Sequence, residues 1–494
     1  MQKEKSSYKQ IMKATSIFGG VQVFNIIITI IRSKVIAVYL GPAGMGIAGL
    51  LNSSTGLVKA LTNFGLGTSA VRDIASAYES KDQIRIRTTV VVFRRLVWIT
   101  GILGTVATIV LAPILSKFSF GNEDYTIAFM WLGVTLLLQQ LASGQMVILQ
   151  GTRKLKLLAK ANLLGSIIGL LVSVPLYYYK GVEGIVPALI ITAVVTFLVA
   201  WYFARKVKVE SIAVTQSETI SKGKGMLKLG FALSLTGLIA MGTSYFLRIY
   251  ISNTGSLDDV GLYNAGFAII GIYVGLVFSA MATDYFPRLS GVAHDNTQST
   301  VLINQQAEMG VLILAPILVV FLIFINWVII LLYSQKFVPI NGMIQWSALG
   351  MYFKVATWSI GFIFLAKGAF KLFFWSQLTI QLIQLGLNIL AYKYFGLEGL
   401  GVSFLITYVY LLFQQYFLAN YFYKFNYNLS FVRIFGIQLG LGVCCFIIIK
   451  FITLPWAYVA GIPFIFASFW FSFKELDKRL NLKELLVSFR DRIK

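Results

Sequence analysis

Histidine, cysteine and acidic residues are scarce in this sequence. Its 494 residues include one histidine, two cysteines and 19 aspartates and glutamates. With His294 as the one histidine, histidine-based metal sites and catalytic triads are not expected. Cys444 and Cys445 are adjacent in an apolar run, so they are poor disulfide partners and lack metal-site spacing. The sequence therefore predicts no metal, no cofactor and no catalytic residue.

Charged residues are also few, while apolar residues dominate. Only 12% of the residues are charged, which is about half the fraction in a soluble domain. Hydrophobic residues make up 57% and the mean hydropathy is +0.79, so the composition indicates a multi-pass membrane protein. A net charge of +23 is typical of nucleic-acid-binding proteins, but the apolar content argues against that class. No nucleic-acid partner is predicted.

Apolar segments of bilayer-spanning length recur along the whole chain. Because a span needs about 20 apolar residues, we predict about fourteen transmembrane helices. They lie near residues 12–38, 44–70, 90–115, 125–149, 158–179, 184–204, 228–252, 260–285, 309–333, 341–366, 371–393, 399–423, 432–452 and 455–473. The longest polar break, from Arg205 to Lys228, lies near the middle of the chain.

Basic residues are concentrated on one side of these predicted spans. With the N-terminus inside, that side holds Arg72, Lys81, Arg85, Arg87, Arg153, Lys154, Lys156, Arg205, Lys206, Lys208, Lys222, Lys224, Lys367, Lys371 and the basic tail. The other side has few lysines and carries Asp258 and Asp259. The positive-inside rule therefore places both termini in the cytoplasm. Much of the net charge is then explained by the basic cytoplasmic loops, which set the topology and contact anionic membrane lipids.

An internal repeat relates the two halves at a constant offset. Gly46 and Gly261 stand 215 positions apart, and further pairs share this offset. They are Lys9 with Lys224, Lys13 with Lys228, Thr68 with Thr283, Trp131 with Trp346, Lys156 with Lys371, Thr192 with Thr407 and Gly181–Gly184 with Gly396–Gly399. Because each repeat holds an even number of spans, the halves should be parallel, related by an axis along the membrane normal.

The predicted fold is an all-α polytopic membrane protein. Two parallel six-helix repeats surround a central cavity, and two C-terminal helices follow. The predicted parts are an N-terminal six-helix bundle at 1–205, a cytoplasmic linker at 206–226, a C-terminal six-helix bundle at 227–424, two extra transmembrane helices at 425–473 and a basic cytoplasmic tail at 474–494.

Polar residues line single faces of several predicted spans. In the first span, Asn25 and Arg32 are seven residues apart and therefore share a helical face. The second span aligns Asn52 with Lys59 in the same way. The eleventh span has a bulkier polar face, made of Gln377, Gln381, Gln384 and Asn388. Such faces line a cavity or join neighbouring helices, and Arg32 either lines a cavity or snorkels to the headgroups.

Charge deep in the predicted spans is mostly basic. Lys59 and Lys354 fall near the middle of the second and tenth spans, and the repeat partner of Lys354 is Gln139. Arg32 and Arg248 lie near the outer ends of the paired first and seventh spans. Charge at such depth usually faces a bundle interior or a water-filled cavity.

One acidic residue is positioned to balance these cations. Asp284 lies near the inner end of the eighth span beside Arg288, where it either titrates in proton coupling or simply pairs with the arginine. Since one carboxylate cannot neutralise four cations, we predict a cationic cavity that attracts anions, with internal ion pairing as the alternative. Phosphates suit such a cavity because Arg and Lys donate charge-assisted hydrogen bonds to their oxygens.

Two segments resemble a known transporter family. They are RSKVIAVYLGPAGMG at residues 32–46 and YFPRLS at residues 285–290. Both are similar to the polysaccharide-transporter branch of the multidrug/oligosaccharidyl-lipid/polysaccharide exporter superfamily. Within that branch the chain most resembles the O-antigen translocases, which are Wzx-type flippases and include the lipid III type.

The resemblance implies a flippase and a set of partners. Its substrate would be an undecaprenyl-pyrophosphate-linked oligosaccharide, moved across the bacterial inner membrane by alternating access through a cationic lumen. Other implied partners are membrane lipids, a polysaccharide polymerase and a chain-length regulator. The cations predicted to hold the pyrophosphate are Arg32, Lys59, Arg248 and Lys354. The polar residues predicted to line the cavity are Asn25, Asn52, Gln139, Gln377, Gln381, Gln384 and Asn388.

Two other functions compete with this one. A multidrug exporter of the same superfamily needs acidic residues for cationic drugs, but spans one to six contain no deep Asp or Glu. A membrane polysaccharide polymerase or ligase usually needs a large outer loop, whereas every predicted outer loop is short.

The predicted topology can be tested with reporter fusions that fluoresce only in the cytoplasm. Fusions at Lys494 and near Lys206 should be bright, and a fusion near Asp258 should be dark, because the basic loops stay inside. A bright fusion at Asp258 would reverse the orientation.

Overall fold

The computed structural model describes residues 23–207, 212–271 and 275–480, and most of these residues are helical. No strand occurs in these residues. The first helix, α1, covers residues 23–39. The following helices are α2 Gly41–Asn63, α3 Leu66–Glu79, α4 Gln83–Phe120, α5 Thr126–Gly151, α6 Leu155–Lys180, α7 Ile185–Ala204, α8 Gln216–Thr254, α9 Leu257–Ile269, α10 Gly275–Gly291, α11 Asn296–Leu332, α12 Asn341–Ala366, α13 Phe370–Tyr423, α14 Leu429–Phe451 and α15 Trp456–Leu480.

These helices account for the fourteen predicted spans and confirm the predicted all-α membrane fold. The second span is divided into α2 and α3 at Phe64 and Gly65, which both have positive φ angles. The eighth span falls on α9 and α10, and the eleventh and twelfth are the two limbs of α13. Within the described residues, nine helical segments are long and apolar enough to cross a membrane. Residues 12–22 of the first predicted span lie outside the described residues.

Contacts divide the chain into two compact units, residues 1–261 and 262–494. In the first unit, α4 packs on α5, α6 packs on α7, and α8 lies against α2, α3 and α4. In the second unit, α12 packs on α13, while α11 contacts α12, α14 and α15. Helix α8 begins at Gln216, inside the stretch predicted as a linker. The domain boundaries derived from the repeat stay a prediction.

An apolar cluster fixes the start of α8 in the first unit. Met226 of α8 is buried with Leu66 of α3 and with Phe93 and Leu96 of α4. Gly223 lies so close to α4 that a Cβ atom there would stand 3.2 Å from a methyl carbon of Leu96. The absence of a side chain at Gly223 therefore sets a short distance between α4 and α8 at this level.

The repeat is visible in the backbone as well as in the sequence. Gly181, after α6, has φ 55°, and Gly396, 215 positions later, has φ 57°. Both angles lie in the left-handed region, where a side chain would cost about 1 kcal/mol or more. The glycine three residues after each one packs against the carbonyl oxygen eight residues before it. The two halves thus make the same turn at the same repeat position.

A second glycine pair brings the first turns of α2 and α9 into contact. A Cβ atom at Gly46 would collide with the carbonyl oxygen of Leu257, and one at Gly261 would collide with that of Pro42. Leu257 and Pro42 are themselves 215 positions apart. The contact is therefore made of repeat-equivalent residues on both sides, and only glycine permits this backbone approach.

The last two helices are attached to the second unit by polar side chains. Buried Gln438 of α14 donates from Nε2 to Ser472 Oγ of α15 at 2.8 Å. Arg479 of α15 donates from Nη2 to the buried carboxylate of Glu308 in α11 at 2.8 Å. These bonds join α14 and α15 to each other and α15 to α11, so the two helices outside the repeat have fixed positions.

The glycine contact predicts a selective loss of stability. Gly46→Ala should destabilise the protein by about 1–3 kcal/mol, because the added methyl group meets a backbone oxygen that cannot rotate away. Gly56→Ala on the same helix is the matched control, since its Cβ atom would meet only Met241 Cε at 3.6 Å. Thermal unfolding of both variants in detergent should show a lower Tm for Gly46→Ala alone. Equal Tm values would contradict the close approach of α2 and α9.

Candidate functional site

The polar face of α1 carries two buried atoms that lack hydrogen-bond partners. They are Asn25 Oδ1 and Arg32 Nε, on half-buried side chains that share the predicted face. The Arg32 guanidinium extends toward α6, where a Cβ atom at Gly169 would lie 3.4 Å from Nη2. None of the described acidic residues forms an ion pair with Arg32. A buried N–H group of a cation is costly to leave without an acceptor, so this face is suited to an anion.

Lys59 of α2 meets an amide rather than a carboxylate. Its Nζ atom donates to Gln139 Oε1 of α5 at 3.4 Å, a long hydrogen bond. The structure therefore brings together two residues that the sequence analysis singled out separately. Asn52, seven residues before Lys59, is exposed and donates from Nδ2 to the Ala48 carbonyl oxygen at 2.8 Å. The partner of the Lys59 amino group is therefore a neutral amide.

Lys354 of α12 lies among aromatic rings. Its Nζ atom is 5.4 Å from the ring centroid of Tyr408, 5.7 Å from that of Phe278 and 5.9 Å from that of Phe404. An ammonium within about 6 Å of a ring centroid is attracted by the negative face of the ring. None of the described acidic residues pairs with Lys354. Rings stabilise its charge without neutralising it, so the site remains electrically positive.

Arg248 of α8 is held by its own helix. Its Nη1 atom donates to the carbonyl oxygen of Ser244 at 2.9 Å and to the hydroxyl of the same serine. These bonds draw the guanidinium back along the helix by one turn. Ser244 stands four residues before Arg248 and therefore lies on the same face of α8.

The glutamine face of α13 has two different parts. Gln377, Gln381 and Gln384 are half-buried. Asn388 is buried, and its Oδ1 atom accepts a hydrogen bond from Ser403 in the other limb of the helix. Asn388 thus joins the two limbs of α13, which is the helix-packing role that such polar residues often have.

Asp284 and Arg288 form an ion pair on α10. Arg288 Nη1 and Asp284 Oδ2 are 3.2 Å apart, and the side chains are 57% and 76% exposed. Of the two roles open to Asp284 from the sequence, the structure shows the pairing. Exposed pairs four residues apart contribute little to stability, about 0.3–0.5 kcal/mol.

Two acidic residues that sequence reasoning missed are also paired. Glu308 of α11 accepts hydrogen bonds from Arg479, and Glu398 of α13 pairs with Lys450 of α14. Glu398 also accepts from Trp346 Nε1 at 2.9 Å. The sequence offers a signal for these pairs, because each of the four charged residues stands near the end of a predicted span. The carboxylates of Glu308 and Glu398 are therefore already bound to basic residues.

Sequence reasoning also passed over two basic residues of α4. Arg94 and Arg95 are adjacent inside the third predicted span, four and five residues from its start. An arginine pair within an apolar span was the signal that could have identified them. Both side chains are half-buried and line a cavity against α8.

The sites described so far are cationic in each unit. The first unit contains Arg32, Arg248 and the Lys59–Gln139 pair, and the second contains Lys354 with its three rings. Each of these side chains can hold an anion by charge and hydrogen bonds. The shared central cavity that would join them stays a prediction.

Comparison with known proteins identifies a protein family and two similar curated proteins. A family model described as "Polysaccharide biosynthesis protein" matches residues 35–342, which is more than half of the chain. The Lipid III flippase of Escherichia coli (strain K12) is 23% identical over 397 residues, covering 76% of this chain and 90% of that protein. The Lipid III flippase of Shigella flexneri matches with the same values.

Solved structures with a similar fold are also transporters. Lipid II flippase MurJ in an inward closed conformation has a TM-score of 0.74 at 13% identity, covering 94% of this chain and 99% of the other. An inward-facing multidrug resistance MATE family transporter of the MOP superfamily has a TM-score of 0.68 at 16% identity, covering 82% and 94%. At these identities the likeness concerns the fold.

The family model, the curated relatives and the fold agree with the resemblance of residues 32–46 and 285–290. The chain belongs to the polysaccharide biosynthesis protein family, and its fold is similar to those of a lipid II flippase and of a multidrug transporter of the MOP superfamily.

Proposed function

We propose that this protein is a flippase for an undecaprenyl-pyrophosphate-linked oligosaccharide, such as an O-antigen repeat unit, in the bacterial inner membrane. The pyrophosphate would be held by Arg32, Lys59, Arg248 and Lys354 in a cationic cavity that opens alternately to the two sides. The family membership supports a transporter of polysaccharide precursors. The lipid-linked substrate is inferred from the curated relatives, which are lipid III flippases.

The observation that carries this proposal concerns Arg32, Lys59 and Lys354, none of which pairs with an acidic residue in the described part of the chain. Lys59 has an amide partner, Lys354 has three rings, and Arg32 retains a buried Nε atom without a partner. A lysine exposed to lipid at mid-membrane would cost roughly 2.5–3.5 kcal/mol on insertion scales. A phosphate group that enters the protein supplies the missing negative charge, and a polyprenyl chain can remain in the lipid.

Amide side chains suit the sugar part of such a substrate. Gln139 already accepts from Lys59, and its amide nitrogen remains a donor. Gln377, Gln381 and Gln384 offer three more amides on one half-buried face. Amides bind hydroxyl groups as both donors and acceptors. We assign these glutamines to the glycan and leave Asn388 as a packing residue.

The same observation disfavours the competing functions. A multidrug exporter for cationic compounds would need free deep carboxylates. Of the acids discussed above, Glu308, Glu398 and Asp284 are all paired with basic residues. A polymerase or ligase would need reactive groups in a large loop. The described connections are short apart from the segment between α7 and α8.

Loss of either mid-span lysine should strongly reduce transport. Lys59→Ala and Lys354→Ala should each reduce surface glycan in a flippase-deficient strain by about tenfold or more, because each removes a charge-assisted contact with phosphate. Lys→Arg at either position should retain much of the activity, since the charge is kept. Membrane abundance is measured in parallel, and Lys117→Ala, an exposed lysine at the end of α4, is the control. Full activity of a Lys59→Ala, Lys354→Ala double variant would refute the cationic-cavity mechanism.

Arg32 and Arg248 should tolerate replacement by lysine less well than Lys59 tolerates replacement by arginine. Arg32→Lys and Arg248→Lys should reduce transport more than Lys59→Arg does, because a planar guanidinium can hold phosphate through two parallel hydrogen bonds. The same complementation assay measures this difference. Equal activity of all three conservative variants would show that charge alone matters at these positions.

A further inference from the structure

A groove between α4 and the first turns of α8 combines basic and apolar surfaces. One cavity of about 730 Å³ lies against Arg94, Arg95, Trp98 and Ile99 of α4. A second cavity of about 610 Å³ continues along α8 past Lys224 and Lys228. Both cavities share three lining residues, Ile99, Thr219 and Ile220, so they form one groove within the first unit.

The basic side of this groove has a guanidinium that lacks a partner. Arg94 Nε is buried without a hydrogen bond to any described residue. Arg95 is different, because its Nη1 atom donates to the Val214 carbonyl oxygen at 2.9 Å and to Thr219 Oγ1 at 2.7 Å. Lys224 and Lys228 are exposed, one helical turn apart on α8. Among the described residues that line the groove, none is acidic.

The apolar side of the groove faces outward. Ile220 is 69% exposed, Ile99 58% and Trp98 50%, although each is a large apolar side chain. In a membrane protein such side chains contact lipid chains. The second cavity is almost wholly apolar away from its two lysines, with Phe64, Leu227 and Phe231 in its wall. The groove thus offers a surface for acyl chains directly beside four basic groups.

The depth of the basic groups matches that of lipid headgroups. Arg94 stands four residues inside the predicted span 90–115, which corresponds to about 6 Å along a helix axis. Trp98 lies one turn deeper, and tryptophan is enriched at membrane interfaces. By the predicted topology this end of α4 is on the cytoplasmic side, where anionic lipids attract basic residues.

We infer that this groove is a binding site for an anionic glycerophospholipid of the cytoplasmic leaflet. Its phosphate would accept hydrogen bonds from Arg94 and lie near Lys224 and Lys228, while its acyl chains follow Ile99, Leu227 and Phe231. The groove favours a small headgroup over an oligosaccharide, because Gln216 is the one amide side chain among its described lining residues. The inference is separate from the translocated substrate, since none of these residues belongs to the proposed transport site.

The site is tested by native mass spectrometry of the purified full-length protein. The protein is offered equal amounts of phosphatidylglycerol and phosphatidylcholine with identical acyl chains, and it should retain phosphatidylglycerol preferentially. Arg94→Gln, Lys224→Gln and Lys228→Gln, combined in one variant, should lower retention by about fivefold for each charge that the phosphate contacts. Arg95 is left unchanged because its hydrogen bonds hold the start of α8.

The control variant removes the same number of charges elsewhere on the same predicted side. Lys154→Gln, Lys156→Gln and Lys160→Gln change three exposed lysines around the start of α6 and should leave retention unchanged. Phosphatidylglycerol with brominated acyl chains gives a second readout. It should quench the wild-type tryptophan fluorescence more than brominated phosphatidylcholine does, and Trp98→Phe should remove that difference.

Three results would overturn the inference. The first is equal retention of both lipids by the wild-type protein. The second is equal retention of phosphatidylglycerol by the groove variant and the control variant. The third is a groove variant that keeps phosphatidylglycerol but no longer supports transport. The last result would assign the groove to the translocated lipid-linked substrate. The Lys59→Ala, Lys354→Ala double variant should keep normal phosphatidylglycerol retention, so failure of the proposed transport function is distinguishable from failure of this site.

Discussion

Unneutralised positive charge inside a membrane is the constraint on which the rest of this structure depends. A cation removed from water must be solvated by protein dipoles, by aromatic rings or by an anion. The two units use different groups for this purpose. Lys59 is solvated by the amide of Gln139, whereas Lys354 is solvated by Phe278, Phe404 and Tyr408. Neither the amide nor the rings carry a negative charge, so both arrangements leave the lysine able to bind an anion. A carboxylate partner would neutralise it.

The acidic residues serve structure more than transport. Glu308 binds Arg479 and thereby fixes α15 on α11, and Glu398 joins the limbs of α13 to Lys450 of α14. A carboxylate that is committed in this way cannot compete with a phosphate for the deep cations. Acidic residues are thus scarce in the composition, and Glu308 and Glu398 are both committed to ion pairs within the second unit.

Much of this fold could be predicted from the sequence, because the length of each apolar span and the offset of the repeat can be read without knowing which helices are in contact. The contacts of the site could not. The rings around Lys354 come from two other helices, Phe278 from α10 and Phe404 and Tyr408 from α13. Ser403, the partner of Asn388, lies in the other limb of α13. Periodicity identifies a polar face but not its neighbour, so Asn388 looked like the glutamines beside it. Arg94 was overlooked because its significance depends on a groove made with α8, a helix that follows 122 positions later in the chain.

The contact between Gly46 and Gly261 bears on how the chain arose. Its two sides are repeat-equivalent, as in the isologous interface of a symmetric dimer, where one surface patch meets a copy of itself. In an ancestor with identical halves, a single change at this glycine would have altered both sides of the contact at once. In a single chain each copy can change alone, and a side chain at either position would meet a backbone carbonyl oxygen of the other helix. The two positions therefore carry separate constraints, although the sequence repeat makes them equivalent.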